Sequence, residues 1–293
     1  MVKALSFTGA EGNRLVADRF GEEGAPVLLL HGGGQTRHAW AGTGERLASA
    51  SFSAVCLDQR GHGESDWVPS GNYAFLDFGR DLVRVASTLT AEYGRRPVLI
   101  GASLGGLAGI LAEGHLAPGS LSALVLVDIT PRVDLGGVSK IVEFMSANMS
   151  DGFASVEDAA DAIAAYLPHR PRPASLEGLA KNLRPTPDGR LRWHWDPRFI
   201  SARHSDGDVA RAMAEDDLIA AARHLSLPVL LVRGGRSELV SEAHVEEFQS
   251  LVPHARFVDV EAAGHMVAGD RNDVFTDALV DFLESLEAPA APV

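Results

Sequence analysis

The stretch Val98-Leu99-Ile100-Gly101-Ala102-Ser103-Leu104-Gly105-Gly106 limits this chain more than any other. It reads as a short apolar strand, a sharp corner between glycines and the start of a helix. Gly101-Ala102-Ser103-Leu104-Gly105 fits the G-x-S-x-G pattern of a nucleophile elbow, which sets a serine at the tip of a tight strand-to-helix turn. A side chain at 101 or 105 would meet the neighbouring backbone as the chain reverses, and glycine alone enters such conformations cheaply. The turn exposes Ser103 Oγ. It also aims the first helical N–H groups, that of Leu104 included, at the space beside it, where the helix dipole favours negative charge. Five common residues are a weak signal by themselves, so the context decides their meaning.

The context is that of an α/β protein. At 293 residues the chain suits one α/β domain with an insertion. A formal net charge of -13 argues against nucleic acid and anionic membrane as partners, because both require a basic face. The single cysteine, Cys56, lies in the apolar run Ala54-Val55-Cys56-Leu57, which excludes an intrachain disulfide and reads as a buried thiol. The first residues lack an apolar signal core and no apolar run reaches membrane-spanning length, so a cytoplasmic location is expected. The tail over 288–293 reads as frayed.

Along the chain, residues 4–7 and 14–19 flank a turn and predict an edge hairpin. Pro26-Val27-Leu28-Leu29-Leu30 is a continuous apolar run suited to a strand buried on both faces, and it ends in His31-Gly32-Gly33-Gly34-Gln35. Three glycines after a buried strand let the backbone approach a ligand and turn N–H groups towards it. A strand over 53–57 leads into Asp58-Gln59-Arg60-Gly61-His62-Gly63-Glu64-Ser65, where Asp58 and Arg60 are expected to tie the loop and His62 reads as a loop residue. Apolar positions at helical spacing predict a helix over 76–93. Residues 121–127 form a further strand with Asp128 at its carboxyl end.

The alternation stops at 131. Helices are predicted over 138–149, 158–167, 175–183 and 209–224, with a turn at Pro187-Asp188-Gly189 and an aromatic segment Trp193-His194-Trp195. Strand–helix alternation then resumes, with strands over 228–232 and 256–260 ending in Arg233-Gly234-Gly235-Arg236-Ser237-Glu238 and Glu261-Ala262-Ala263-Gly264-His265-Met266. The expected fold is a doubly wound, mostly parallel eight-stranded sheet built from 1–130 and 226–287, with a helical cap over 131–225 inserted after the sixth strand. Ligands in such sheets bind beyond the carboxyl ends of the strands, where Gly33, Ser103, Asp128, Glu238 and His265 all fall.

These motifs, in this order, resemble the α/β-hydrolase fold family over about residues 26–286. Within it the chain is most similar to cofactor-free esterases, C–C hydrolases and haloperoxidase-like members. Haloalkane dehalogenases and epoxide hydrolases carry aspartate where this chain has Ser103. The resemblance implies Ser103 as nucleophile and His265 as its general base, in the family's order of nucleophile, acid and histidine. For the acid it offers Glu238, preferred because it follows the seventh strand, and Asp128 after the sixth as the alternative. It implies an oxyanion hole from the N–H groups of Gly33 and Leu104. Substrate is expected under the cap near Trp40, Phe144, Met145 and Met266.

The expected activity is cofactor-independent hydrolysis of a small-to-medium apolar ester or lactone through an acyl-enzyme. C–C bond hydrolysis, perhydrolysis and ligand reception on the same fold remain alternatives. The C–C reaction would need a carboxylate-binding cation, for which Arg37, Arg172 and Arg203 are candidates. The expected partner is a small-molecule substrate, and a homo-oligomer stays open. The scattered histidines have no paired-ligand spacing for a metal, and His31-Gly32-Gly33-Gly34 lacks the G-x-G-x-x-G spacing of a dinucleotide site.

Overall fold

The computed structural model describes residues 2–168, 175–205, 208–261, 263–265 and 272–287. Eight strands form one sheet: β1 (Val2–Thr8), β2 (Arg14–Phe20), β3 (Pro26–Leu30), β4 (Ser53–Leu57), β5 (Val98–Ala102), β6 (Ala123–Val127), β9 (Val229–Gly234) and β10 (Arg256–Val260). Their order across the sheet is β1-β2-β4-β3-β5-β6-β9-β10, with β1–β2 and β2–β4 antiparallel and every other pair parallel. The expected edge hairpin and the eight-stranded, mostly parallel sheet are both present.

The continuous apolar runs are explained by burial on both faces. In β3, Leu28 and Leu30 join one core while Val27 and Leu29 join the other, and all four are almost fully buried. Side chains alternate across a strand, so a strand covered on both sides must be apolar throughout. Helices α1 (Ala41–Ser49), α2 (Phe75–Tyr93) and α3 (Leu104–Leu111) follow β3, β4 and β5. In α2, Phe78, Leu82, Val85, Ala86 and Leu89 form the buried stripe, and Gly94 closes the helix at φ 66°. That left-handed end suits glycine.

Between β6 and β9 the chain forms α4 (Leu135–Ser146), α5 (Val156–Tyr166), α6 (Glu177–Ala180), β7 (Leu183–Pro185), β8 (Leu191–Trp193), α7 (Pro197–Ser205) and α8 (Asp208–Arg223). The expected helix over 175–183 is a single turn, and an antiparallel hairpin of β7 and β8 follows it. Pro187-Asp188-Gly189 turns this hairpin, with Gly189 at φ 80°. Strands of three residues are too short for alternation to betray them. α8 packs on α3, returning the chain to the sheet. α9 (Glu242–Leu251) follows β9, and α10 (Asn272–Glu287) ends the described chain. Among the described residues no helix is long and apolar enough to cross a membrane.

Candidate active site

The elbow has the expected shape; the expected close approach at its glycines is present, and the special glycine conformation is not. The backbone strain sits on Ser103 itself, at φ 45° and ψ -111°, while Gly101 and Gly105 have no positive φ. They are glycines because the chain passes too close to itself. A Cβ on Gly101 would lie 2.5 Å from the Gly105 carbonyl, and one on Gly105 would lie 2.6 Å from the Leu30 oxygen. Such a φ on serine costs on the order of 1–3 kcal/mol and persists only where its surroundings over-determine it. Here the Ser103 N–H donates to the Val127 carbonyl at 3.2 Å, which ties the serine to the residue before Asp128.

Asp128 is fully buried and is the residue that meets the histidine. His265 Nδ1 lies 2.7 Å from Asp128 Oδ2. The same carboxylate accepts from Gly234 N–H at 3.0 Å and from the Ser237 hydroxyl at 2.6 Å. A carboxylate can only accept, so the His265 nitrogen that faces it, Nδ1, carries a proton.

The preference for Glu238 as the acid is therefore corrected. Its side chain is 65% exposed and pairs with Lys140 at 3.4 Å. The cause is local. Ser237 Oγ accepts from the N–H groups of Leu239 and Val240, both at 3.0 Å, and this hydroxyl-centred turn brings Ser237 to Asp128 and sends Glu238 outward. Ser237 was missed by the sequence reading. The only signal was a serine beside a strand end, in a loop where the carboxylate drew the attention.

The glycine loop after β3 lies against the elbow. A Cβ on Gly32 would sit 3.4 Å from Ser103 Cβ. Its N–H groups are almost all engaged: Gly32 donates to Gln35 Oε1, Gly34 to His62 Nε2, and Gln35 to the Gly32 carbonyl. Gly33 N–H has no acceptor among the described residues, and neither does Leu104 N–H at the start of α3.

The far side of this loop meets the segment between β6 and β9. A Cβ on Gly34, which has φ 76°, would lie 2.8 Å from Met145 Cε and 3.4 Å from the Trp195 ring. One on Gly33 would lie 3.2 Å from Phe199. Met145, Trp195 and Phe199 therefore pack against the glycine loop. Phe144 stands one layer back, stacked on Tyr166 at 4.3 Å and tilted to Trp193 at 5.9 Å. Trp40 does not line the site: it is buried in the core beside Phe275, with ring centroids 6.0 Å apart. The expectation for Met266 lies outside the described residues.

Other polar residues of the rim are structural. Arg37 is buried between Asp58, Asp18 and Glu64, which raise its pKa against the cost of burial. It is thus committed and unavailable to a substrate carboxylate. Arg172 and the Arg203 side chain lie outside the described residues. Arg60 makes a two-pronged contact with Asp81 and also holds Glu11, as its loop-tying role requires. Burial pushes the Cys56 thiol up, so it stays protonated and inert.

Sheet order, strained elbow, glycine loop and aspartate–histidine pair define an α/β-hydrolase core. The family model for the alpha/beta hydrolase fold matches residues 25–271, and the chain belongs to that family. It is 32% identical over 274 residues to the esterase Rv0045c of Mycobacterium tuberculosis, a match covering 89% of this chain and 83% of the relative. It is 30% identical over 241 residues to 2-(acetamidomethylene)succinate hydrolase of Mesorhizobium japonicum, covering 81% and 80%. Among solved structures, the E-2-(acetamidomethylene)succinate hydrolase aligns with a TM-score of 0.81 at 24% identity, over 97% of this chain and 100% of that one. The Mycobacterium tuberculosis esterase aligns at 0.74 and 27% identity, over 97% and 92%. The protein is an enzyme of the α/β-hydrolase class.

Proposed function

We propose that this enzyme is a cofactor-independent serine hydrolase of small-to-medium carboxylic esters, with Ser103 as nucleophile, His265 as general base and Asp128 as the acid that orients it. The observation that carries the reading is the 2.7 Å bond from His265 Nδ1 to the buried Asp128, on the strand end next to the elbow. It leaves Nε2 as the only basic nitrogen of His265, the group that a serine nucleophile requires. Similarity to an esterase supports the ester as substrate. The lone buried cysteine suits a cytoplasmic enzyme.

In this mechanism Ser103 Oγ attacks the ester carbonyl carbon as His265 Nε2 takes its proton. The carbonyl oxygen becomes an oxyanion that accepts from Gly33 N–H and Leu104 N–H, each contributing on the order of 3 kcal/mol to the transition state. Collapse expels the alcohol, which receives the proton from His265 and leaves an acyl-enzyme. Water then attacks the acyl carbon, again giving its proton to Nε2, and the acid departs as Ser103 recovers its hydrogen. Asp128 keeps its bond to Nδ1 and stabilises the imidazolium.

The test is hydrolysis of p-nitrophenyl esters from acetate to laurate by wild type and by Ser103→Ala. Turnover by wild type with a loss of several orders of magnitude in the variant supports the reading. Silence of the wild type on every ester, or equal turnover by the variant, contradicts it.

A further inference from the structure

Three buried imidazoles surround the glycine loop, and each holds a different peptide of it. His31 Nδ1 bonds the Gly32 carbonyl at 2.8 Å, which fixes the peptide joining 32 and 33. His62 Nε2 accepts from Gly34 N–H at 3.2 Å, which fixes the peptide joining 33 and 34. His194 Nε2 meets the Gly34 carbonyl at 3.3 Å, which fixes the peptide joining 34 and 35. The three rings lie together, with centroids 5.1 Å apart for His31 and His62 and 5.8 Å apart for His62 and His194.

The opposite ring nitrogens define the proton positions. His31 Nε2 accepts from Gln59 N–H at 3.1 Å, so its proton is on Nδ1. His194 Nδ1 accepts from Gly63 N–H at 2.7 Å, so its proton is on Nε2 and points to Gly34. Each ring gives one hydrogen bond and takes one, which only a neutral imidazole can do. His31 and His62 come from the sheet loops. His194 comes from the segment between β6 and β9, immediately after the β7–β8 hairpin. Its neighbours hold it there: its own N–H donates to Asn182 O at 3.1 Å, and its carbonyl accepts from Trp67 Nε1 at 3.2 Å. Asn182 Oδ1 also accepts from Thr36 Oγ1 at 3.1 Å, giving the loop a second anchor on the same segment.

We propose that His194 is a positioning residue for the oxyanion hole: it fixes the peptide joining 34 and 35, whose Gln35 N–H donates to the Gly32 carbonyl at 3.1 Å, and through that bond it helps hold the peptide that carries the Gly33 N–H towards the reacting oxygen. The inference rests on the serine-hydrolase reading. Gly34 at φ 76° has few rotational restraints of its own, because glycine is conformationally permissive. The grip of the imidazoles is therefore what defines the direction of the adjacent peptide. Such a role affects the transition state, where charge appears on the oxygen, far more than it affects the bound ester.

The test compares kcat and KM on one p-nitrophenyl ester for wild type, Ser103→Ala, His194→Phe, His194→Gln, Thr36→Val and Tyr73→Phe, with thermal unfolding of each. A misdirected oxyanion donor predicts that His194→Phe lowers kcat by about 10–100-fold with KM within about twofold. His194→Gln, whose amide nitrogen can overlie Nε2, recovers most of that loss. Thr36→Val, a milder change that stands in if His194→Phe does not fold, lowers kcat several-fold. Tyr73→Phe removes the 2.6 Å bond to Asp196 on the same segment and lowers thermal stability while keeping kcat. An unchanged kcat in His194→Phe and Thr36→Val, or an equal kcat loss in Tyr73→Phe, overturns the inference. Activity kept by Ser103→Ala overturns the hydrolase reading instead, so the two failures are distinguishable.

Discussion

The strand ends and the segment between β6 and β9 meet at Gly34, and they reach it by different physics. The strand ends are held by main-chain ladders between fully buried aliphatic runs, so Ser103, Asp128 and the glycine loop are delivered by topology. The inserted segment adds to its aromatic packing a set of polar contacts, from side chains and main chain, laid on core backbone. His194 spans Gly34 and Gly63, Arg184 donates to the Gly63 carbonyl, and the Asp196 N–H donates to the Gly61 carbonyl at 2.8 Å. Aliphatic burial is indifferent to pH and tolerant in direction, whereas a bridging neutral imidazole is neither. In the proposed mechanism the chemistry falls to the first region and its fine alignment to the second.

The comparison can be broken first at its strongest point. Asp128→Asn removes the acceptor that holds the working tautomer of His265, and kcat on an ester substrate should fall by about 10³–10⁴-fold. Glu238→Gln, on an exposed carboxylate, should stay within about twofold in the same assay. Next comes the contact between the regions. Gly34→Ala forces a Cβ to within 2.8 Å of Met145 Cε at a positive φ, and kcat should fall by about 100-fold. Adding Met145→Ala should recover the steric part, and no recovery would show that backbone strain alone is responsible. Ser237→Ala leaves Asp128 with two of its three partners described here, and a kcat loss of about tenfold with unchanged KM is expected from steady-state kinetics.

The smallest effect is on stability and belongs to the inserted segment. Burial, reinforced by His31, pushes the His194 pKa from its ordinary 6.5 down to about 3. Burial likewise lowers that of His31. The unfolded chain takes up a proton on His194 below pH 6.5 while the folded chain refuses it until about pH 3, so stability falls as pH falls through that window. Between pH 7 and pH 5 the loss from this one group is about 2 kcal/mol. Urea unfolding at the two pH values should show a smaller drop for His194→Gln than for wild type. Equal drops would remove His194 from the account.

The contrast between the two regions also governs what could be read from the sequence. Val27–Leu30, Val98–Ile100 and Leu124–Val127 were legible as strands because parallel strands covered on both faces must be apolar throughout. The elbow was legible because close approach at Gly101 and Gly105 permits no Cβ. The acid was not. Asp128 and Glu238 both follow buried strands, and the choice between them depends on a turn centred on the Ser237 hydroxyl, which periodicity does not encode. Trp40 is expected near the substrate, but its ring turns into the core towards Phe275. His194 was passed over inside an aromatic run, since its value comes from Gly34 and Gly63, which lie 160 and 131 residues away along the chain.

The most direct test of the central claim is the ring N–H proton of His265, which proton NMR should find strongly shifted downfield by its bond to a buried carboxylate. The account predicts that this resonance persists in Glu238→Gln and disappears in Asp128→Asn. Its survival in Asp128→Asn and loss in Glu238→Gln would contradict the assignment of the triad.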